Sequence, residues 1–223
     1  MQSHALEAFN SIKDKIGPES CPAVMLFSSL LALQVLADRF QNQNQSSSEY
    51  LDGFLGCLNL IRSVRKVVIT DWHPLIRESD LKPLFDIQQP PKPYNIPPQC
   101  RELEKLPRTA DLGPTSIAAY DAAIERLQWT YAIADVPNTT HSTIRWLLAW
   151  PVQLNDEYSK FLNERRPDAL IILAYYGVLL HFYRESWAVG DSGSVVIRAI
   201  ISQIGGYWAE WISWPLKMVG CAT

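Results

Sequence analysis

One histidine and a group of tyrosines on a single apolar stretch are the residues of this sequence best equipped for chemistry. The stretch runs from Arg166 to Trp187, RPDALIILAYYGVLLHFYRESW, and carries Tyr175, Tyr176, His181, Tyr183, Arg184 and Glu185. Read as one long helix, it sets Ile172, Tyr176, Leu179, Leu180, Tyr183 and Trp187 on one side. Leu170, Ala174, Gly177, His181 and Arg184 form the adjoining side, where Gly177 leaves a notch for a ligand or another helix. Tyr176, His181 and Trp187 on a pocket wall would join apolar area to a few directed hydrogen bonds, as small-molecule sites do. The competing expectation is that these rings are core, their polar tips bonded internally.

His181 and Tyr176 are therefore the candidate proton donors. Gly177, Tyr183, Trp187, Trp129, Tyr131, Trp146 and Trp150 are the candidate substrate-binding residues. Trp146 and Trp150 stand four apart and share a helical face, which suits packing or an aromatic cage round a polycyclic ligand. Asp71 and His73, in DWHP, are too close in sequence for a productive acid–base pair unless the loop bends. A helix cap is expected of Asp71, and His141 is expected at an exposed helix start. No GxSxG, HExxH, phosphate loop or dinucleotide fingerprint is present. Cys21, Cys57, Cys100 and Cys221 are isolated, with no metal-ligand spacing. Carboxylates such as those in ERLQW and NDEY are too few to clamp magnesium and a diphosphate. No cofactor and no metal is expected.

The elements that must position these side chains read as helices nearly throughout, so the expected fold class is all-α, in one domain over residues 1–223. Ser3–Ile16 is amphipathic. CPAVMLFSSLLALQVLADRF is apolar too widely for one face and should be central, touching ALIILAYYGVLL. QNQNQSSSEY reads as a polar loop. The next helix places Leu51, Phe54, Leu58, Ile61 and Val64 on one stripe, with Gly53 and Gly56 permitting close helix approach. Residues 74–114 hold nine of the fifteen prolines and are expected as an irregular surface excursion with a short helix near Arg101–Leu106. PTSIAAYDAAIERLQWTYAIAD follows, capped by Ser116. HSTIRWLLAW should end at Pro151. NDEYSKFLNERR and SVVIRAIISQIGG are further helices, the second closing at Gly205–Gly206, and YWAEWISWP a final aromatic turn.

Composition sets outer bounds. Apolar residues make up 48% and charged residues 19%, a globular balance, with 8 Trp and 9 Tyr for a core, a pocket or an interface. The net charge of −3 supplies no basic face, so direct binding to nucleic acid is not expected. The apolar runs Val24–Ala37 and Ala169–Leu180 fall short of the roughly 20 residues a bilayer needs, so no membrane insertion is expected. With no secretory signal, the expected setting is intracellular and cytoplasmic, with reduced thiols.

CPAVMLFSSLLALQVLA, RRPDALIILAYYGVLLHFYRESW and YWAEWISWP resemble the C-terminal regulatory domain of fungal zinc-cluster transcription factors of the sterol-uptake-regulator type. The likeness runs in order over nearly the whole chain. It implies an α-helical domain with a deep apolar pocket for a sterol or similar lipid, able to form a homodimer, and nuclear if part of such a factor. The six-cysteine cluster, the basic region and the leading helices of that family are not in this sequence. Two functions are compatible with these residues. One is a cofactor-free cyclase of fungal secondary metabolism, holding an apolar terpenoid or polyketide for a Diels–Alder-type closure. The other is a non-catalytic sterol- or lipid-sensing module of transcription.

Overall fold

A computed structural model describes residues 46–67, 96, 98–109, 112–134 and 150–220, with residues 27, 34, 37 and 38. In chain order its helices are α1 Ser47–Val67, α2 Pro98–Glu102, α3 Leu106–Thr109, α4 Pro114–Ala134, α5 Asp156–Asn163, α6 Pro167–Phe182, α7 Ser192–Ile201 and α8 Ala209–Met218. Short 3-10 turns at Leu103–Lys105 and Gly206–Trp208 lead into α3 and α8. No strand occurs among the described residues, and the fold is all-α.

α6 is the axis. Every residue from Asp168 to Leu180 is buried, because no face of this helix is polar enough to leave in water. Pro167 opens it at the first helical position, where a missing N–H costs nothing. α7, α8, α4 and α5 all pack on α6, and α7 also packs on α1. The α1 stripe holds: Leu51, Phe54 and Leu58 are buried and Ile61 is partly buried.

The start of α1 departs from expectation. Ser46, read as loop, caps the helix: its Oγ accepts the Glu49 N–H at 3.3 Å, and its own N–H donates to Glu49 Oε2 at 3.0 Å. This reciprocal pair satisfies two donors that the first turn leaves open. Those hydrogen bonds hold the exposed Glu49 carboxyl below its usual range.

Other boundaries also differ. The short helix expected near Arg101–Leu106 is a chain of short helices over 98–109, anchored by Cys100, Leu103 and Leu106, each fully buried, while most of the rest of the expected excursion over 74–114 lies outside the described residues. Pro114 begins α4, so Ser116 lies inside its first turn and does not cap it. Residues 150–153 are helical, so Pro151 does not end that segment. YWAEWISWP is a 3-10 turn plus most of α8, which passes through a buried Pro215. The second proposed central helix, Val24–Ala37, lies outside the described residues except at Phe27, Gln34 and Ala37, all helical, with Ala37 buried. Ser3–Ile16 also lies outside them. Among the described residues no helix is long and apolar enough to cross a membrane.

Candidate functional site

α6 ends at Phe182, not near Trp187, and residues 183–191 form a run of turns. Tyr183 caps the helix, its N–H reaching the Leu180 carbonyl at 3.0 Å. The continuous stripe from Tyr176 to Trp187 is thereby broken. Tyr176 is 1% exposed, whereas Trp187 is 65% exposed, so Trp187 does not continue the wall that Tyr176 begins.

The notch at Gly177 is filled from within the protein. A Cβ there would lie 2.9 Å from Ile197 Cγ1, 3.0 Å from Val196 Cγ1 and 3.2 Å from the Gly193 carbonyl oxygen. The facing glycine is tighter. A Cβ on Gly193 would fall 2.5 Å from the His181 nitrogen, 2.9 Å from its Cα, and closer still to the Gly177 carbonyl oxygen. Gly177 and Gly193 thus mark a backbone-to-backbone crossing of α6 and α7. Gly56, expected to permit such an approach, faces open space.

The polar tips of the rings go largely to main-chain carbonyls of neighbouring elements. Tyr131 Oη donates to the Tyr175 carbonyl at 2.6 Å, tying α4 to α6. Tyr158 Oη donates to the Ala169 carbonyl at 3.0 Å, tying α5 to α6. Trp150 Nε1 donates to the Ala123 carbonyl of α4 at 2.9 Å. Tyr183 Oη donates to the Ala134 carbonyl at 2.8 Å, satisfying an acceptor that the end of α4 would leave open. A helical carbonyl has two lone pairs, so these added bonds do not compete with the helix.

Of the other candidates, Trp150 stacks on Tyr176 with ring centroids 4.5 Å apart. Trp129 is buried at 8% exposure. Trp146, Asp71, His73 and His141 lie outside the described residues. Burial raises the Tyr176, Tyr131 and Tyr158 phenols well above their ordinary range and keeps them neutral. His181 is partly exposed but its Nδ1 is buried, with no hydrogen-bond partner among the described residues. Burial, and then the nearby Arg184 charge, lowers its pKa; Asp191 opposes this and Arg198 adds to it.

Two groups were not singled out from sequence. Trp214 of α8 lies against Tyr175 at 4.9 Å and Tyr131 at 6.3 Å between centroids, closing the aromatic layer from the C-terminal side. Arg166 lies 4.4 Å above the Phe161 ring and 3.2 Å from the buried Asp168 carboxylate, which stands in the first turn of α6. Asp168 also faces Tyr120, whose hydroxyl is pushed up chiefly by burial and then by that carboxylate. The sequence signal for the second group was the Arg-Pro-Asp triplet, an acidic residue in the first turn after a proline, where the helix dipole favours it.

Comparison with known proteins adds one finding. The chain is similar to a Zn(2)-C6 fungal-type transcription factor of Gibberella zeae. The two are 24% identical over 234 aligned residues, covering 96% of this chain. The chain spans 46% of that relative's length, less than half of it. No family model and no solved structure matches the chain.

Proposed function

We propose that this chain is a non-catalytic helical module of transcription regulation, of the sterol- or lipid-responsive kind. The observation that carries the reading is the similarity to the Zn(2)-C6 fungal-type factor, because it covers 96% of this chain. A shared fold core explains a match of that span better than one shared motif does. The resemblance to sterol-uptake regulators supports the lipid-responsive part.

The ring chemistry points the same way. A cyclase built on this helix would direct donors at a substrate. Here Tyr131, Tyr158, Tyr183 and Trp150 donate to backbone carbonyls, and Tyr176 is stacked inside the core beneath Trp150. No specific observation favours cyclisation over regulation.

The test is a fusion of the full chain to an unrelated DNA-binding domain, read on a reporter in a host whose sterol supply is controlled. Reporter output should differ from that of the DNA-binding domain alone and should change on sterol depletion. Output equal to that domain's in both conditions would defeat the regulatory reading. A sterol-independent effect would defeat only its lipid-responsive part.

A further inference from the structure

His181 occupies the last turn of α6, and its main chain is pinned. The Gly193 backbone of α7 lies so close to the His181 nitrogen and Cα that no side chain fits between them. The His181 main chain therefore cannot shift toward α7 without parting the two helices. Among the described residues, buried Nδ1 has no hydrogen-bond partner. The hydroxyls of Ser186 in the turn and of Ser192 at the start of α7 are also buried with no partner among the described residues, so neither bonds Nδ1.

A neutral imidazole tolerates this arrangement, since one nitrogen can stand as an unused acceptor. An imidazolium does not. Both nitrogens then carry protons, and the one on Nδ1 has no acceptor. The charges acting on the ring, among the described residues, are Arg184 from its own turn, and Asp191 and Arg198 from the start and the body of α7. Two of the three repel a second positive charge. The end of the α6 dipole favours the cation, but by less than an unpaired buried donor costs.

The turn is the weakest part of this junction. It is closed by a few backbone bonds: Ser186 N to Tyr183 O at 2.9 Å, Val189 N to Ser186 O at 3.0 Å, Gly190 N to Ser186 O at 2.9 Å and Ser192 N to Val189 O at 3.2 Å. Such a local segment opens at lower cost than the whole fold. Opening would bring Nδ1 to water and uncover Ala188 and Val189, now 1% and 4% exposed, beside the exposed Trp187 and Phe182.

We infer that protonation of His181 opens the 183–191 turn, making the junction of α6 and α7 an acid-sensitive device that uncovers an apolar surface. The direction follows from linkage. The folded ring holds its proton less tightly than a free histidine, so the open turn binds more protons as pH falls through the histidine range. The closed turn is fully stable above the ordinary value of 6.5 and weakens below it.

Native-state hydrogen exchange on the full chain at about pH 7.5 and about pH 5, corrected for intrinsic rates, reads this directly. Amides of Ser186, Val189, Gly190 and Ser192 should lose protection by roughly five- to hundredfold when the ring is charged, the range expected for an unpaired buried donor. Amides in the middle of α6 should not change. The loss should vanish in His181→Gln. It should survive when His4, His73 and His141 are all replaced by Gln, a set that keeps the test available if His181→Gln does not fold. Equal protection at both pH values, a loss that persists in His181→Gln, or a loss abolished by the triple replacement would each overturn the inference.

Discussion

Gly193→Ala should be the most damaging single-methyl addition among the described residues. A new Cβ would stand 2.5 Å from the His181 nitrogen and closer still to the Gly177 carbonyl oxygen, where ordinary contact begins at 3.4 Å, so α6 and α7 must separate by at least about 0.9 Å. The obstructing atoms are backbone on a helix buried on every side, and they cannot turn away. Separation of that size weakens the dispersion contacts of Val196, Ile197 and Ile200, all fully buried. Overpacking of this kind costs about 1–3 kcal/mol, and a backbone obstacle puts the expectation at the upper end. Gly177→Ala is the internal control. Its Cβ meets Ile197 and Val196 Cγ1 at 2.9 and 3.0 Å and the Gly193 carbonyl oxygen at 3.2 Å, a shallower clash but with buried β-branched carbons that rotate little, and a mid-helix alanine returns about 1 kcal/mol of propensity. Gly177→Ala should therefore destabilise by less than Gly193→Ala, at the lower end of the same range of about 1–3 kcal/mol. Urea unfolding followed by far-UV dichroism measures both. If Gly193→Ala is as stable as Gly177→Ala, the crossing is not where the structure puts it.

Three further outcomes follow from named contacts. Trp150→Phe loses the bond to the Ala123 carbonyl and part of the stack on Tyr176, so it should destabilise by about 1–2 kcal/mol in the same unfolding assay. Arg165 has φ 53°, a left-handed conformation disfavoured for a residue with a Cβ, while its guanidinium ties Ser48, Gln203 and Asp52. Both Arg165→Ala and Arg165→Gly lose those ties, but Gly sheds the backbone penalty and should be more stable than Ala by about 1 kcal/mol. Cys100 is fully buried, and burial pushes its thiol up to about 12, so iodoacetamide at neutral pH should leave it unmodified until the chain unfolds. Rapid native labelling, located by peptide mass, would contradict its position in the core.

Periodicity disclosed the helices but not their ends. α6 was visible because an unbroken apolar run of that length has nowhere to go but inside, and Pro167 and Asp168 mark its start. Its end was not visible. Tyr183, Arg184 and Trp187 continue the helical spacing, and no glycine or proline announces the stop at Phe182. The Ser46–Glu49 cap was legible as Ser-x-x-Glu before an apolar stripe, but the surrounding Gln, Asn and Ser residues masked it. Proline misled in the other direction. Pro151 was read as a stop and YWAEWISWP as a turn, yet Pro151 and Pro215 both lie within helical residues. A proline fixes a φ that helices use, and what it removes is one donor, a loss the surrounding packing can offset. The Gly177 notch was read as room for a ligand or another helix. Only the three-dimensional register of α6 and α7 decides between them, and Gly193 had no feature in the sequence to mark it as the partner.

The abundance of polar-tipped rings on and around α6 now has a physical reason that needs no substrate. α6 is buried on all sides, so hydrophobic burial alone would hold it against its neighbours without fixing its rotation or its height. Three long-range bonds from Tyr131, Tyr158 and Trp150 join aromatic tips to backbone carbonyls in the layer of α4, α5 and α6, and Tyr183 adds a fourth at the end of α4. Each is directional and each is worth only about 1 kcal/mol net, but a rotation of α6 about its axis would carry the Tyr175 and Ala169 carbonyls away from the buried Tyr131 and Tyr158 donors. The rings therefore set register more than they set stability. A helix locked in this way moves as a unit, while its C-terminal end at His181 gives way to a turn closed by a few backbone bonds. Under the proposed regulatory reading, such a division would place a change of shape at the junction of α6 and α7 and leave the aromatic layer intact.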